Sequence, residues 1–119
     1  MRMAEKNSGA EGRTALGAPF PCDSKMILFS GRPTSWYEVE MVTGRAKLRG
    51  TLVPEREINA IGYNVLDSYI YGYDQKSGQF VRVDSSGAAE VLTPRPRGLP
   101  AAFYDVGTLD LNGYYYLYA

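Results

Sequence analysis

INAIGYNVLDSYIYGY, residues Ile58–Tyr73, lies without a gap on FYDVGTLDLNGYYYLY, residues Phe103–Tyr118, when every position is displaced by 45 residues. Gly62 falls on Gly107, Leu66 on Leu111, Asp67 on Asn112, Tyr69 on Tyr114 and Tyr71 on Tyr116, while Ile61 lands on Val106. A strand between two glycine-bearing turns is thus reproduced together with its hairpin partner. A second, weaker pairing places Trp36-Tyr37-Glu38-Val39-Glu40 on Phe80-Val81-Arg82-Val83-Asp84 at a displacement of 44, with a one-residue difference before Gly44 and Gly87. Two pairings at nearly the same displacement argue for one repeated unit. A period of about 40–50 residues with four strands per unit is what β-propeller blades show. The competing reading is two similar hairpins in an ordinary sandwich or barrel. Four strands per period favour the blade.

Outward from this stretch, the chain from Lys25 onward is a series of short apolar runs separated by turn residues, the pattern of consecutive hairpins. The runs are Met26–Ser30, Trp36–Val42, Ala46–Val53, Ile58–Val65, Tyr69–Tyr73, Phe80–Asp84, Ala89–Thr93, Tyr104–Leu111 and Tyr114–Tyr118. Between them stand Gly31, Gly44, Gly78, Gly87 and Gly113, where glycine supplies the positive φ that tight hairpin turns demand. Tyr37-Glu38-Val39-Glu40-Met41 and Val81-Arg82-Val83-Asp84 alternate apolar and charged residues, so each has one buried face. Met26-Ile27-Leu28-Phe29 and Ala60-Ile61-Gly62-Tyr63 are nearly continuous in apolar character, which suits strands covered on both faces.

The expected fold class is therefore all-β: antiparallel four-stranded blades of a partial β-propeller, with a disordered N-terminal leader. Residues 1–21 form the leader, rich in Gly, Ala and charge; a short helix over Glu11–Leu16 is the alternative there, broken by Gly12 and Gly17. Residues 22–119 form the propeller part: 22–57 a blade with three strands, 58–102 a complete blade, and 103–119 the first hairpin of a third. That makes about two and a quarter blades by the repeat period, too few to close a ring of four to eight.

Composition narrows the function classes. The chain has 119 residues, 45% of them hydrophobic, and 13 basic residues against 13 acidic ones give no net charge. Neither sign gathers into a block, so there is no electrostatic case for nucleic acid or an anionic membrane as partner. Ten tyrosines and one tryptophan against four phenylalanines favour pleated, half-buried surfaces. Cys22 is alone, which excludes an internal disulfide, and with no histidine in the chain it cannot assemble a zinc site. No apolar run reaches the roughly 20 residues of a membrane helix, and the N-terminus lacks the apolar stretch of a signal peptide.

The absence of histidine also removes the commonest general base and the usual serine triad. Catalysis would have to rest on carboxylates: Asp67, Asp74, Asp84, Asp105 and Asp110. Asp67 and Asp74 precede turn residues, where aspartate bonds its own local backbone. Propeller hydrolases bind a channel metal through acidic and amide side chains, and the corresponding positions here are near Asn59, Asn64 and Asp105. They come from only two blades and leave the cage incomplete, so no metal or other cofactor is expected. Asp84-Ser85-Ser86-Gly87 has a likeness to a calcium loop but lacks the spaced acidic ligands and terminal glutamate.

The tyrosines offer a different chemistry. Tyr69, Tyr71, Tyr73, Tyr114 and Tyr116 are the candidate interaction surface, a stacking platform for sugars or an anchor for a protein partner. The alternative is that they pack between blades, with Tyr115 on the face opposite Tyr114 and Tyr116. Pro94-Arg95-Pro96-Arg97-Gly98-Leu99-Pro100 is either a polyproline ligand or the link between two blades, and the link needs no partner.

Pro19-Phe20-Pro21-Cys22, Asn59-Ala60-Ile61-Gly62-Tyr63-Asn64, Leu66-Asp67 and Tyr69-Ile70-Tyr71 resemble a family of secreted or surface β-propellers of unknown function. Its domains start with a "PF.C" segment and its units run "AIGYN.LD.YIYGYD". The resemblance covers about Phe20 to Tyr118. It implies a ring-shaped domain at the cell exterior, with no catalytic residue to carry over. The expected function is a non-enzymatic scaffold or interaction module whose partners are further blades or a second copy. The alternatives are a fragment of a propeller hydrolase and a glycan-binding propeller.

Overall fold

The computed structural model describes residues 16–23 and 25–119. Among them nine strands form three antiparallel sheets, and no helix occurs. The first sheet holds β1 (Lys25–Ser30), β2 (Ser35–Glu40) and β3 (Ala46–Thr51) in that order. The central sheet holds β4 (Ile58–Asn64), β5 (Tyr69–Asp74), β6 (Gln79–Val83) and β7 (Ala89–Leu92), again in chain order. The last is the hairpin of β8 (Val106–Leu109) and β9 (Tyr115–Tyr118). Each run of the sequence pattern corresponds to one strand with its ends shifted: Trp36–Val42 becomes Ser35–Glu40, and Tyr104–Leu111 pairs only over Val106–Leu109.

The alternation of side chains in the central sheet builds two core layers, one on each face. Ile58, Ile70, Val81 and Val83 point one way and pack with Phe20, Trp36 and Leu52, with Ile27 and Phe29 of the first sheet closing the layer. Tyr73 and Phe80 point the other way and pack with Ala60 and Tyr104, flanked by Tyr115 and Leu117 of the hairpin. The three sheets are thus stacked face to face with the four-stranded sheet in the middle. This is the physical consequence of period two: a strand buried on both faces needs apolar residues at odd and even positions alike. β5 has them, with Ile70, Tyr71 and Tyr73 all buried.

Backbone bonds tie the first sheet to the central one at its outer end. Val53 N donates to Gly87 O at 2.9 Å and Ala89 N to Val53 O at 2.8 Å. Thr34, 1% exposed, receives Ile58 N on its hydroxyl at 2.9 Å, and its own N–H donates to Arg56 O. Gly87 lies at the same junction with φ +88°, and a β-carbon there would sit 2.5 Å from Trp36 Nε1, so both the turn and the packing of Trp36 require glycine.

The expected leader, residues 1–21, meets a different outcome at its end. Residues 1–15, with most of the alternative helix, lie outside the described residues. Residues 16–20, however, belong to the packed body. Gly17 N donates to the Asp84 carboxylate at 2.6 Å, Ser85 N donates to Ala18 O, and Phe20 N donates to Ser68 O. The Phe20 ring is 6% exposed and meets Trp36 edge-on at 5.9 Å. One aromatic at the end of a Gly/Ala-rich stretch suffices to pin it, because burying a phenylalanine contributes roughly 1.5–3 kcal/mol.

Candidate interaction surface

The five tyrosines do not share a face. Tyr71 and Tyr73 are buried between the central sheet and the hairpin. Tyr73 meets Phe80 at 5.2 Å and Tyr104 at 5.0 Å, and Tyr71 meets Tyr115 at 6.4 Å, all edge-to-face. Tyr69 is half-buried at the end of β5, with its hydroxyl on Gly17 O at 2.7 Å and the Arg82 guanidinium 4.9 Å from its ring centre. Tyr114 and Tyr116 are exposed on the hairpin, at 51% and 55%. No contiguous surface contains all five, and the expectation of one is corrected.

The reason is the stacking of the sheets: Tyr71 and Tyr73 lie on the face that the hairpin covers, while their counterparts Tyr116 and Tyr118 lie on the hairpin's outer face. The two repeats also differ in register. In β4/β5, Gly62 stands opposite Tyr71; in β8/β9, Gly107 stands opposite Leu117 rather than Tyr116. The second hairpin carries one residue more between its matched glycine and the facing position. A one-residue slip turns every side chain of a strand to the other face, and it is β8 that turns: Gly107 faces Ala60 of the central sheet, whereas Gly62 faces Leu109 of the hairpin. Tyr115 keeps the facing of Ile70, its counterpart at a displacement of 45, which packs towards the first sheet; its hydroxyl donates to Ala60 O at 2.6 Å and its ring lies 5.5 Å from Phe80. Burial pushes the Tyr115 hydroxyl well above the usual tyrosine range. Tyr116 and Tyr118 turn outward, opposite Thr108 and Val106.

Close approach of β8 to β4 is what makes Tyr115 fit. A β-carbon on Gly107 would overlap the Ala60 carbonyl, and one on Gly62 would lie 2.6 Å from Leu109 Cδ1 and 3.0 Å from Thr108 Cα. Ala60 itself, at φ 54°, sits in a bulge of β4 that aims its carbonyl at Tyr115. The bulge was not legible in the sequence, since alternation alone leaves two registers open.

The aspartates serve turns. Asp84 is 1% exposed and accepts from Ser86 N, Ser86 Oγ, Ala88 N and Gly17 N. Burial by itself raises its carboxyl, but these hydrogen bonds outweigh that and hold it below the ordinary carboxylate value. Asp74, also buried, accepts from Lys76 N, Ser77 Oγ and Arg56 Nη1 at 3.1, 2.9 and 3.1 Å, and is lowered in the same balance of burial against hydrogen bonds. Asp67 accepts from Tyr69 N and the Tyr71 hydroxyl, with Arg82 Nη1 at 3.5 Å. Arg82 also holds Glu90 at 2.8 Å. Asp110 repeats the Asp67 pattern on the hairpin, accepting from Tyr114 N and the Tyr116 hydroxyl. Asn112, which the sequence displacement matched to Asp67, does not take that part, although Tyr114 and Tyr116 keep the parts of Tyr69 and Tyr71.

Asn59 Nδ2 lies 3.4 Å from Asp105 Oδ1, while Asn64 sits at the other end of β4 with its Oδ1 on Leu66 N. The three proposed metal positions do not converge. Among the described residues no group of three or more His, Cys, Asp or Glu is placed to hold a metal ion. The proline-rich segment runs as the connection from β7 to β8, tied by Arg95 Nε to Gly78 O at 2.7 Å and by the Tyr104 hydroxyl to Pro100 O at 2.6 Å.

A family model for a repeat of unknown function, DUF6923, matches residues 28–119. The chain belongs to this family. The match takes in all of β2–β9 and the second half of β1, and leaves out the segment that carries Phe20. Comparisons with curated proteins and with solved structures find no match.

What the surface offers chemically is two bare sheet faces at opposite ends of the stack. On the first sheet, Met26, Leu28 and Leu48 are exposed. Leu28 and Leu48 both pair with Tyr37, and Met26 pairs with Val39 on the same side. On the hairpin, Val106, Tyr116 and Tyr118 are exposed, with Tyr114 and Leu111 at its turn.

Proposed function

We propose that the chain is a non-enzymatic scaffold or interaction module, a partial β-propeller working at the cell exterior, whose two outer sheet faces receive further sheets of the same repeat. The observation that carries this reading is the direction of stacking. Trp36 and Phe29 of the first sheet face the central sheet, and their counterparts Phe80 and Tyr73, at a displacement of 44, face the hairpin. Met26 and Val39 correspond in the same way to Ile70 and Val83, which receive the first sheet. Each sheet thus presents one kind of face to the next and the other kind to the previous one. A head-to-tail contact of this type propagates until it closes or is capped. The exposed faces at the two ends are one of each kind, so a further sheet has a matching surface waiting at both.

The role at the cell exterior rests on the sequence resemblance, and biotin labelling of intact cells of the native host is its check. The scaffold reading is tested by sedimentation of the purified chain together with calorimetric titration of divalent cations and a glycan panel. The expected result is concentration-dependent association, no heat with calcium, magnesium or zinc, and no glycan bound. Micromolar binding of a divalent ion would replace this reading with the hydrolase, and a specific glycan signal would replace it with the lectin.

A further inference from the structure

The first sheet is a displaced copy of three of the four strands of the central sheet. At a displacement of 44, β1 (Lys25–Ser30) falls on β5 (Tyr69–Asp74) and β2 falls on β6. The cross-strand partners are kept: Phe29 opposite Trp36 becomes Tyr73 opposite Phe80, Met26 opposite Val39 becomes Ile70 opposite Val83, and Ser30 opposite Ser35 becomes Asp74 opposite Gln79. In the central sheet, β4 lies along the other side of β5. The matching side of β1 carries no strand among the described residues.

The same displacement assigns that place to residues 14–20. Residues 16–20 are used otherwise, bound to Asp84, Ser85 and Ser68 of the central sheet. Among the described residues, what lies along that edge is a cavity of about 400 Å³, between Lys25, Met26 and Ile27 of β1 and Ile61, Gly62 and Tyr63 of β4. Its volume is in the range of ligand pockets, and Ile70 and Phe20 add to its apolar floor. Cys22, the single cysteine of the chain, is exposed on its rim.

We infer that the β1 edge accepts one added strand, and that the occupant is a separate peptide segment with the pattern of the repeat's own first strand, Ile58–Asn64. An unpaired strand edge offers its N–H and C=O groups to an extended peptide, and alternate side chains then choose the partner. Here the choice is stated by the chain itself, because the strand that β5 carries at the equivalent edge is INAIGYN. The added strand runs antiparallel to β1, with its glycine opposite Ile27 and its tyrosine opposite Met26, as Gly62 and Tyr63 stand opposite Tyr71 and Ile70. A second copy of the chain is a poorer occupant. Its β4 and β8 are already paired and packed against each other, so a whole sheet would have to enter a cavity whose far wall is β4. The inference rests on the register match of two sheets and is independent of the stacking proposed for the outer faces.

The test uses the full chain and a synthetic peptide of residues Glu57–Asp67, EINAIGYNVLD, with a scrambled peptide of the same composition as control. The readouts are the alkylation rate of Cys22 and amide hydrogen exchange over Lys25–Ser30. At a peptide concentration of about ten times its Kd, alkylation slows roughly tenfold and the β1 amides gain protection, while the scrambled peptide does neither. Unchanged alkylation and exchange with millimolar peptide overturn the proposal. So does slowing by both peptides without protection of β1, which marks the cavity as a site for any apolar ligand. Protection of β1 that grows with protein concentration and is not competed by the peptide assigns the edge to a second copy. Association through the outer faces, with β1 still exchanging freely, leaves the scaffold reading standing and removes this one.

Discussion

Asp84 shows how much of the fold rests on single polar groups. Its buried carboxylate accepts bonds from Gly17, Ser86 and Ala88, and so joins the N-terminal segment to the β6–β7 turn. Because its folded pKa is depressed, it contributes stability that is present above the ordinary carboxylate value of 3.8 and is lost as pH falls through the lower folded value. Asp74 acts with the same sign. Urea unfolding followed from pH 7 to pH 2 is expected to show a loss of stability below about pH 4, the ordinary carboxylate range. Asp84→Asn flattens that acid limb and costs roughly 1–3 kcal/mol at pH 7, because the amide loses the Gly17 bond and sets a donor against a donor. Equal acid sensitivity in the variant would remove Asp84 from this role. At Gly62 the constraint is steric, since any β-carbon meets Leu109 and the Thr108 backbone. Gly62→Val is expected to release the hairpin from β4, read as faster exchange of the Tyr115–Tyr118 amides with the β5–β6 amides unchanged.

At the level of elements, the hairpin is the part whose place depends on one contact layer. Tyr115 supplies both an apolar ring and a bond to the Ala60 carbonyl. Tyr115→Phe removes only the bond and is expected to cost about 1 kcal/mol, whereas Tyr115→Ala leaves a cavity and costs about 3–5 kcal/mol. Chemical denaturation of the two variants separates these contributions. The corresponding change at Tyr116, exposed and bonded only to Asp110, is expected to fall within about 0.5 kcal/mol. Strand positions and turns were legible from alternation and from glycine: the five turn glycines named from the sequence have φ between +73° and +93°. The buried face of β6 could also be read, since Val81 and Val83 alternate with Arg82. That of β8 could not, because Gly107 faces the central sheet whereas Gly62, its counterpart at a displacement of 45, faces the hairpin.

For the whole molecule, the consequence of stacked sheets is a body with two unlike apolar ends. Leu28→Lys with Leu48→Glu on the first sheet, or Tyr116→Lys with Tyr118→Glu on the hairpin, is expected to shift the purified chain towards monomer in sedimentation velocity without lowering its melting temperature. Either pair alone suffices if association is head-to-tail, because each contact needs one face of each kind. Persistence of the oligomer in both variants would move association to the strand edges. The central sheet, covered on both faces, is expected to exchange its amides most slowly, and the edge strands β3 and β9 fastest. By itself the sequence determined the all-β class, the period of 44–45 residues, the sites of the turns and the absence of histidine chemistry, because these follow from local φ preferences, side-chain alternation and composition. Only the tertiary structure decided that Phe20 closes the core, that Gly107 faces the central sheet where its counterpart Gly62 faces the hairpin, and that β1 has no inner neighbour among the described residues. These depend on which long-range contacts fill space best, and a one-residue difference in a loop is enough to invert a face.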